Sequence, residues 1–201
     1  MVDTPETSER DRSDAEDAIM RATYRALCEH GYAELTMRAI AEEYGKTAAA
    51  IHYHYETKDE LLVAFLEYLL DQFAEDVREV GTDDPAERLG ALLDRLLVER
   101  ADDYDFMVAL LEMRAQAPYE DAIRAQFVHN DEYVRSLVSE TIADAMAQGV
   151  FADDSDPERA TRALMTIVDG ARTRFVVYGR QEAMFVAREM AAAYVSGVLE
   201  A

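Results

Sequence analysis

Apolar residues along this chain recur at intervals of three and four, and no stretch alternates as a half-buried strand would. The opening stripe is Ala15, Ala18, Ile19, Ala22 and Ala26, introduced by Ser13 and Glu16 at the spacing of a capping box. Gly31 follows where a helix commonly ends. A second helix is predicted from Thr36, with Ile40 and Ala41 turned inward and Gly45 as its stop. A third runs from Thr47 to about Tyr53. Thr57 and Glu60 repeat the capping box and open a long helix with Leu61, Phe65, Leu69 and Phe73 on one side. Asp84-Pro85 and Asp156-Pro157 each set a capping residue before proline at the first helical position. They start helices predicted near 85–102 and 157–178, and further helices fall near 104–116, 119–148 and 182–199. The chain therefore reads as all-α, with about nine helices. Residues 1–12 carry charge without period and read as a mobile acidic arm.

The segment richest in chemistry is Thr36 to Leu61, TMRAIAEEYGKTAAAIHYHYETKDEL. It spells a helix, a tight glycine turn, a short helix, and a capped long helix. That is the helix-turn-helix plan, in which the second short helix enters the major groove of DNA. Ile40, Ala41 and Ile51 are apolar where the two helices would touch. A helical hairpin that only packs is the plainer alternative.

Residue by residue the segment resembles the TetR/AcrR family of one-component transcriptional regulators. The matching positions are Thr36, Ile40, Ala41, Gly45, Thr47, Ile51, His52, Tyr53, His54, Tyr55, Thr57, Lys58, Glu60 and Leu61, in order and without a gap. The resemblance implies a helix-turn-helix domain over 13–58 and an effector-binding and dimerisation domain over 59–201. It also implies a homodimeric repressor that a small-molecule effector releases from an inverted-repeat DNA operator. Three positions depart from the family's habit: Ala48 replaces a frequent cation, Ala49 a frequent glycine, and His52 the usual tyrosine. On this reading Ala48, Ala49 and Ala50 meet thymine methyls and Tyr53 reaches a base edge. Thr36 and Thr47 cap helices whose amides face phosphate. Arg38, Lys46, His52, His54 and Lys58 surround the recognition helix as phosphate partners.

Charge complicates this picture. The 201 residues include 42 acidic and 20 basic ones, for a formal net charge of -22. Nucleic-acid binding ordinarily comes with a basic surface, so the charge alone argues against DNA. Yet both lysines of the chain, Lys46 and Lys58, fall within Thr36–Lys58. Random placement gives that about once in eighty. In that window Arg38, Lys46 and Lys58 balance Glu42, Glu43 and Glu56, leaving it neutral. Elsewhere the carboxylates are spread along the whole length rather than gathered in a tail. Such a surface suits a cytoplasm of molar salt, where repulsion is screened over about 3 Å. An ordinary acidic cytosolic protein is the plainer account. The rival function is an acidic helical protein-interaction module whose helix-turn-helix has degenerated.

Other classes find little support. The longest uncharged run, Met190 to Leu199, is ten residues, against roughly 18 for a membrane span. No charged-then-apolar leader opens the chain, so a cytoplasmic protein without membrane partners is expected. One cysteine, Cys28, excludes an intrachain disulfide framework and a thiolate zinc cluster. His52 and His54, two apart, point to different faces of a helix. Neither metal nor cofactor is expected, and no nucleophile–base pair or phosphate loop suggests an enzyme.

In the C-terminal part, Leu164, Ile167, Ala171 and Phe175 form one stripe. Met184, Ala187, Ala191, Tyr194 and Val198 form another on the next helix. They suit either the chain's own core or a two-fold four-helix interface, which is the expectation adopted. Asp169 and Arg172 interrupt the apolar pattern and serve either as a mutually satisfied pair or as polar anchors of an effector pocket. Phe106, Leu110, Met113 and Phe127 are its expected walls.

Overall fold

Several of the helices begin where a side chain takes up an orphan amide. At the first, Ser13 Oγ accepts from the Glu16 amide at 3.3 Å and the Glu16 carboxylate accepts from the Ser13 amide at 2.9 Å. Asp84 and Asp156 do the same before Pro85 and Pro157. The computed structural model describes residues 13–79, 81–99, 103–152 and 156–199, so the arm expected over 1–12 lies outside the described residues. Nine α-helices occur among them: α1 (Asp14–Glu34), α2 (Met37–Tyr44), α3 (Ala48–His52), α4 (Lys58–Glu79), α5 (Pro85–Leu97), α6 (Tyr104–Gln116), α7 (Asp121–Ala147), α8 (Pro157–Tyr178) and α9 (Glu182–Tyr194). The expected order and number of helices hold. α9 stops five residues short of the expected end and passes into a π-helical turn, Val195–Leu199. Ser196 and Gly197 are weak helix formers there, and the Leu199 carbonyl accepts from the Ala152 amide at 2.7 Å.

The described residues form two compact units. The first comprises those up to Ala74 together with Asp105–Asn130. Its core gathers Ile19, Leu27, Ile40, Ile51, Leu61, Phe65, Phe106, Met113 and Ile123 around a ring cluster. Phe106 lies edge-on to Phe65 at 6.3 Å and tilted against Tyr24 at 4.9 Å. Gly31 breaks α1 with φ 69° and ψ 173°, a region that essentially only glycine occupies. Immediately after it, the Tyr32 amide donates to Glu112 of α6 at 2.8 Å. A Cβ on residue 31 would stand 3.2 Å from that same carboxylate oxygen. The glycine thus serves the close approach of Glu112 as well as the break.

The second unit comprises Glu75–Tyr104 and the residues from Asp131 onward. α8 and α9 pack on each other and both meet α5. Leu89, Leu93, Leu96, Leu164, Val168, Phe175, Met184 and Ala191 are buried among these helices. Two arginines tie them at the edges. Arg188 of α9 holds Asp94 of α5 at 2.6 Å, and Arg172 of α8 donates to the Leu96 carbonyl at 3.1 Å.

Candidate nucleic-acid interface

The turn between α2 and α3 is built by backbone chemistry. Gly45 takes the left-handed conformation, φ 71° and ψ 22°, and its amide donates to the carbonyls of Ala41 and Glu42. The Lys46 amide then reaches back to the Ala41 carbonyl at 3.2 Å, closing the helix end. Thr36 caps α2, accepting from the Ala39 amide at 3.1 Å. Thr47 stands at the head of α3, but its hydroxyl makes no capping bond and is exposed.

Ile51 and Tyr55 anchor α3 and the turn after it in the first unit's core, at 0% and 7% exposure. The opposite side is therefore turned to solvent. Thr47, Ala49, His52 and Tyr53 are all exposed, Tyr53 at 86%. Ala49 lies three residues from His52 and four from Tyr53, which places them on one helical face. Ala48 and Ala50 are half-buried along its edge.

The cations behave less simply than their spacing suggests. Arg38 is exposed but paired with Glu42 at 3.1 Å. Lys46 donates to the Tyr44 hydroxyl at 3.1 Å and lies over that ring. Lys58 donates to the Leu35 carbonyl at 3.3 Å and sits 4.8 Å from the centre of the Tyr32 ring. Burial, then the carboxylates of Asp59 and Glu120, push the Tyr32 phenol above its ordinary pKa, so it stays neutral. His54 turns towards α1, 4.0 Å from Glu16. Sequence spacing put these side chains around the turn; it suggests the Arg38–Glu42 pair, four apart on one helix, whereas the partners of Lys58 and His54 come only from the fold. Arg25, which the sequence reading passed over, grips the Glu43 carboxylate and main-chain carbonyl, both at 2.8 Å.

The remaining expected site residues fall differently. Phe106 and Met113 are buried in the first unit's core, with Leu110 and Phe127 half-buried against it. Asp169 is exposed on α8, whereas Arg172 is half-buried and turned to α5. The second unit carries two surface clefts of about 410 and 390 Å³, and neither is lined by any of these six residues. Leu164, Ala171, Phe175, Met184, Ala187 and Ala191 are buried within the chain itself. Ile167 and Tyr194 are half-buried, and the Val198 side chain lies outside the described residues. The side of α8 and α9 left to solvent is the opposite one, and it carries Val177, Phe185, Val186 and Met190. Both stripes have helical period, so periodicity alone could not say which one the chain would bury. Among the described residues, no group of three histidine, cysteine, aspartate or glutamate side chains could hold a metal ion, and no helix is long and apolar enough to cross a membrane.

A glycine turn between two short helices, with the second presenting a solvent-facing side, is a helix-turn-helix. Comparison with known proteins specifies which kind. Residues 19–65 match the family described as bacterial regulatory proteins, tetR family, and residues 85–200 match the C-terminal region of BetI-type transcriptional repressors. The chain belongs to the TetR family. A TetR transcription regulator from Haloarcula marismortui, known from a crystal structure, is 51% identical, with a TM-score of 0.89 over 94% of this chain and 100% of that one. The repressor AcnR of Corynebacterium glutamicum is 25% identical over 166 residues, 83% of this chain and 84% of its own. The regulator BetI of Rhizobium meliloti is 26% identical over 163 residues, 78% of this chain and 75% of its own.

Proposed function

We propose that this regulator is a dimeric repressor which occupies an inverted-repeat operator in molar salt and leaves it when a small effector binds. The observation that carries the DNA-reading part is the exposed face of α3, with Thr47, Ala49, His52 and Tyr53 standing clear of a buried Ile51. A methyl, a hydroxyl, an imidazole and a phenol can contact thymine methyls and base edges with no cation on the helix. Two such helices on a dimer would enter successive major grooves about 34–36 Å apart. Selection of duplexes from random DNA in molar KCl should enrich an inverted repeat with that spacing. If none emerges, and Tyr53→Ala leaves promoter occupancy unchanged, the acidic interaction module takes its place.

A second copy of the chain is the partner that best fits the solvent-facing side of α8 and α9. Thr166, Gly170, Thr173 and Val177 follow one another at three- and four-residue steps along α8, all exposed. Phe185, Met190 and Ala193 are exposed on α9. Gly170 costs the helix about 1 kcal/mol relative to alanine. Nothing in its own chain lies within 4 Å of where a Cβ would stand, so its smallness has no use until another helix comes close. We expect Val177→Glu together with Met190→Glu to give monomers in sedimentation at micromolar protein, with helicity intact. A variant that stays dimeric would move the interface elsewhere. Operation in molar salt is supported by the dispersed carboxylates and by the likeness to the Haloarcula regulator. Release by an effector is supported by family membership through the BetI-type C-terminal region.

A further inference from the structure

His52 faces outward from α3 with its hydrogen-bonding polarity already chosen by the protein. Its Nδ1 lies 3.2 Å from the main-chain carbonyl oxygen of Glu56. A carbonyl can only accept, so Nδ1 must carry the hydrogen and donate it. In the neutral ring Nε2 is then left with a lone pair and no hydrogen. The backbone that carries this carbonyl is itself tied to the start of α4. The Glu56 amide donates to the Glu60 carboxylate at 2.8 Å, and the Glu60 amide donates to Thr57 Oγ1 at 3.1 Å. The start of α4 therefore orients the imidazole of α3 before any DNA arrives. Sequence spacing had suggested the usual capping box here. The carboxylate instead reaches one residue further back, and that is what fixes Glu56.

We propose that His52 is a specificity-determining residue that reads an exocyclic amino group, adenine N6 or cytosine N4, through Nε2 as acceptor. This deepens the operator-binding reading and rests on it. In the major groove, adenine and cytosine each offer such a donor, whereas guanine and thymine offer only acceptors along the corresponding edge. Those acceptors would set lone pair against lone pair. A phenolic hydroxyl at this position would donate or accept and so tolerate all four bases, but Nε2 of a neutral imidazole whose Nδ1–H is held by Glu56 only accepts. Ala49, three residues earlier on the same face, leaves room for the ring to approach the groove floor.

The test compares the wild type with His52→Phe, which keeps an aromatic ring and removes the acceptor. His52 is exposed, so the fold does not depend on it. Duplex selection in molar KCl with the wild type should fix, at one position per half-site, which strand carries the amino-bearing base, adenine or cytosine. His52→Phe should relax that position alone. Where adenine is selected, replacing it with purine, which lacks the amino group, should weaken wild-type binding about five- to tenfold and leave His52→Phe unaffected. Nitrogen chemical shifts of the free protein should show hydrogen on Nδ1 of neutral His52. An unchanged base profile in His52→Phe, a purine substitution that weakens His52→Phe as much as the wild type, or hydrogen on Nε2 would each overturn the assignment while operator binding stands. If the wild type enriches no inverted repeat, the operator reading falls and this one falls with it.

Discussion

Affinity for the operator will stay level or rise as KCl is raised from about 0.2 to about 2 M, where most DNA-binding proteins lose their grip. The usual loss arises because protein cations displace counterions from phosphates, with a log–log slope of about −0.9 per neutralised phosphate. Six such contacts over a tenfold rise in salt would cost about a hundred-thousand-fold in affinity. Among the described residues around α3 there is little to displace them with. Arg25 and Arg38 face Glu43 and Glu42, and the charges that Lys46 and Lys58 keep beside neutral partners, the Tyr44 hydroxyl and the Leu35 carbonyl, are few against the carboxylates around them. Beyond that local neutrality each chain carries -22, and a dimer twice as much, which phosphate repels at low salt. Added salt screens this repulsion at short range, the Debye length falling to about 3 Å at 1 M. On the proposed reading, the contacts left to hold the complex are the methyl, phenol and imidazole of Ala49, Tyr53 and His52, together with main-chain amides, none of which releases counterions in proportion to charge. Fluorescence anisotropy with a labelled operator across the KCl series measures the slope. A steep decline, with a slope near that of six phosphate contacts, would return the complex to ordinary electrostatic binding and free the cations from their internal partners.

The same contrast explains what the sequence could and could not convey. Ser13, Thr36, Gly45, Thr57, Pro85 and Pro157 punctuate the chain by local rules, and the helices they bound appear at those places. The helix-turn-helix was legible because its determinants are local: a left-handed glycine and apolar residues on adjoining helices. The partners of Lys58 and Arg25 were not legible, unlike Glu42, which stands four residues from Arg38 on one helix. Lys58 bonds to a carbonyl 23 residues away, and Arg25 to Glu43, 18 away, so only the folded chain brings them together. The facing of α8 and α9 was hidden for another reason. With Leu164, Ala171 and Phe175 on one side and Gly170, Thr173 and Val177 on the other, both sides are small or apolar, and period cannot rank two apolar faces. Phe106 was ambiguous in the same way, since an aromatic residue at helical spacing can line a pocket or fill a core.

Phe106→Ala will lower the unfolding free energy by about 3–5 kcal/mol, the cost of deleting a buried aromatic ring and leaving a cavity in its place. Phe106 is 2% exposed, and it meets Phe65 of α4 and Tyr24 of α1 within ring-contact distance. Met113 of the same helix is fully buried in the same cluster. The ring thus joins α6 to α1 and α4, the helices that flank the helix-turn-helix pair in the first unit. Its loss should loosen that unit as a whole rather than empty a ligand seat. Phe127 supplies the control: it is half-buried, with the Arg114 guanidinium 5.6 Å from its ring centre, so Phe127→Ala should cost distinctly less. Phe106→Leu should recover much of the loss by refilling part of the volume. Urea unfolding in molar KCl, followed by circular dichroism, compares the three variants with the wild type. If Phe106→Ala cost under about 1 kcal/mol, the ring would border space instead of protein. It would then be a pocket wall, and α6 would owe its place against α1 to the Glu112–Tyr32 hydrogen bond instead.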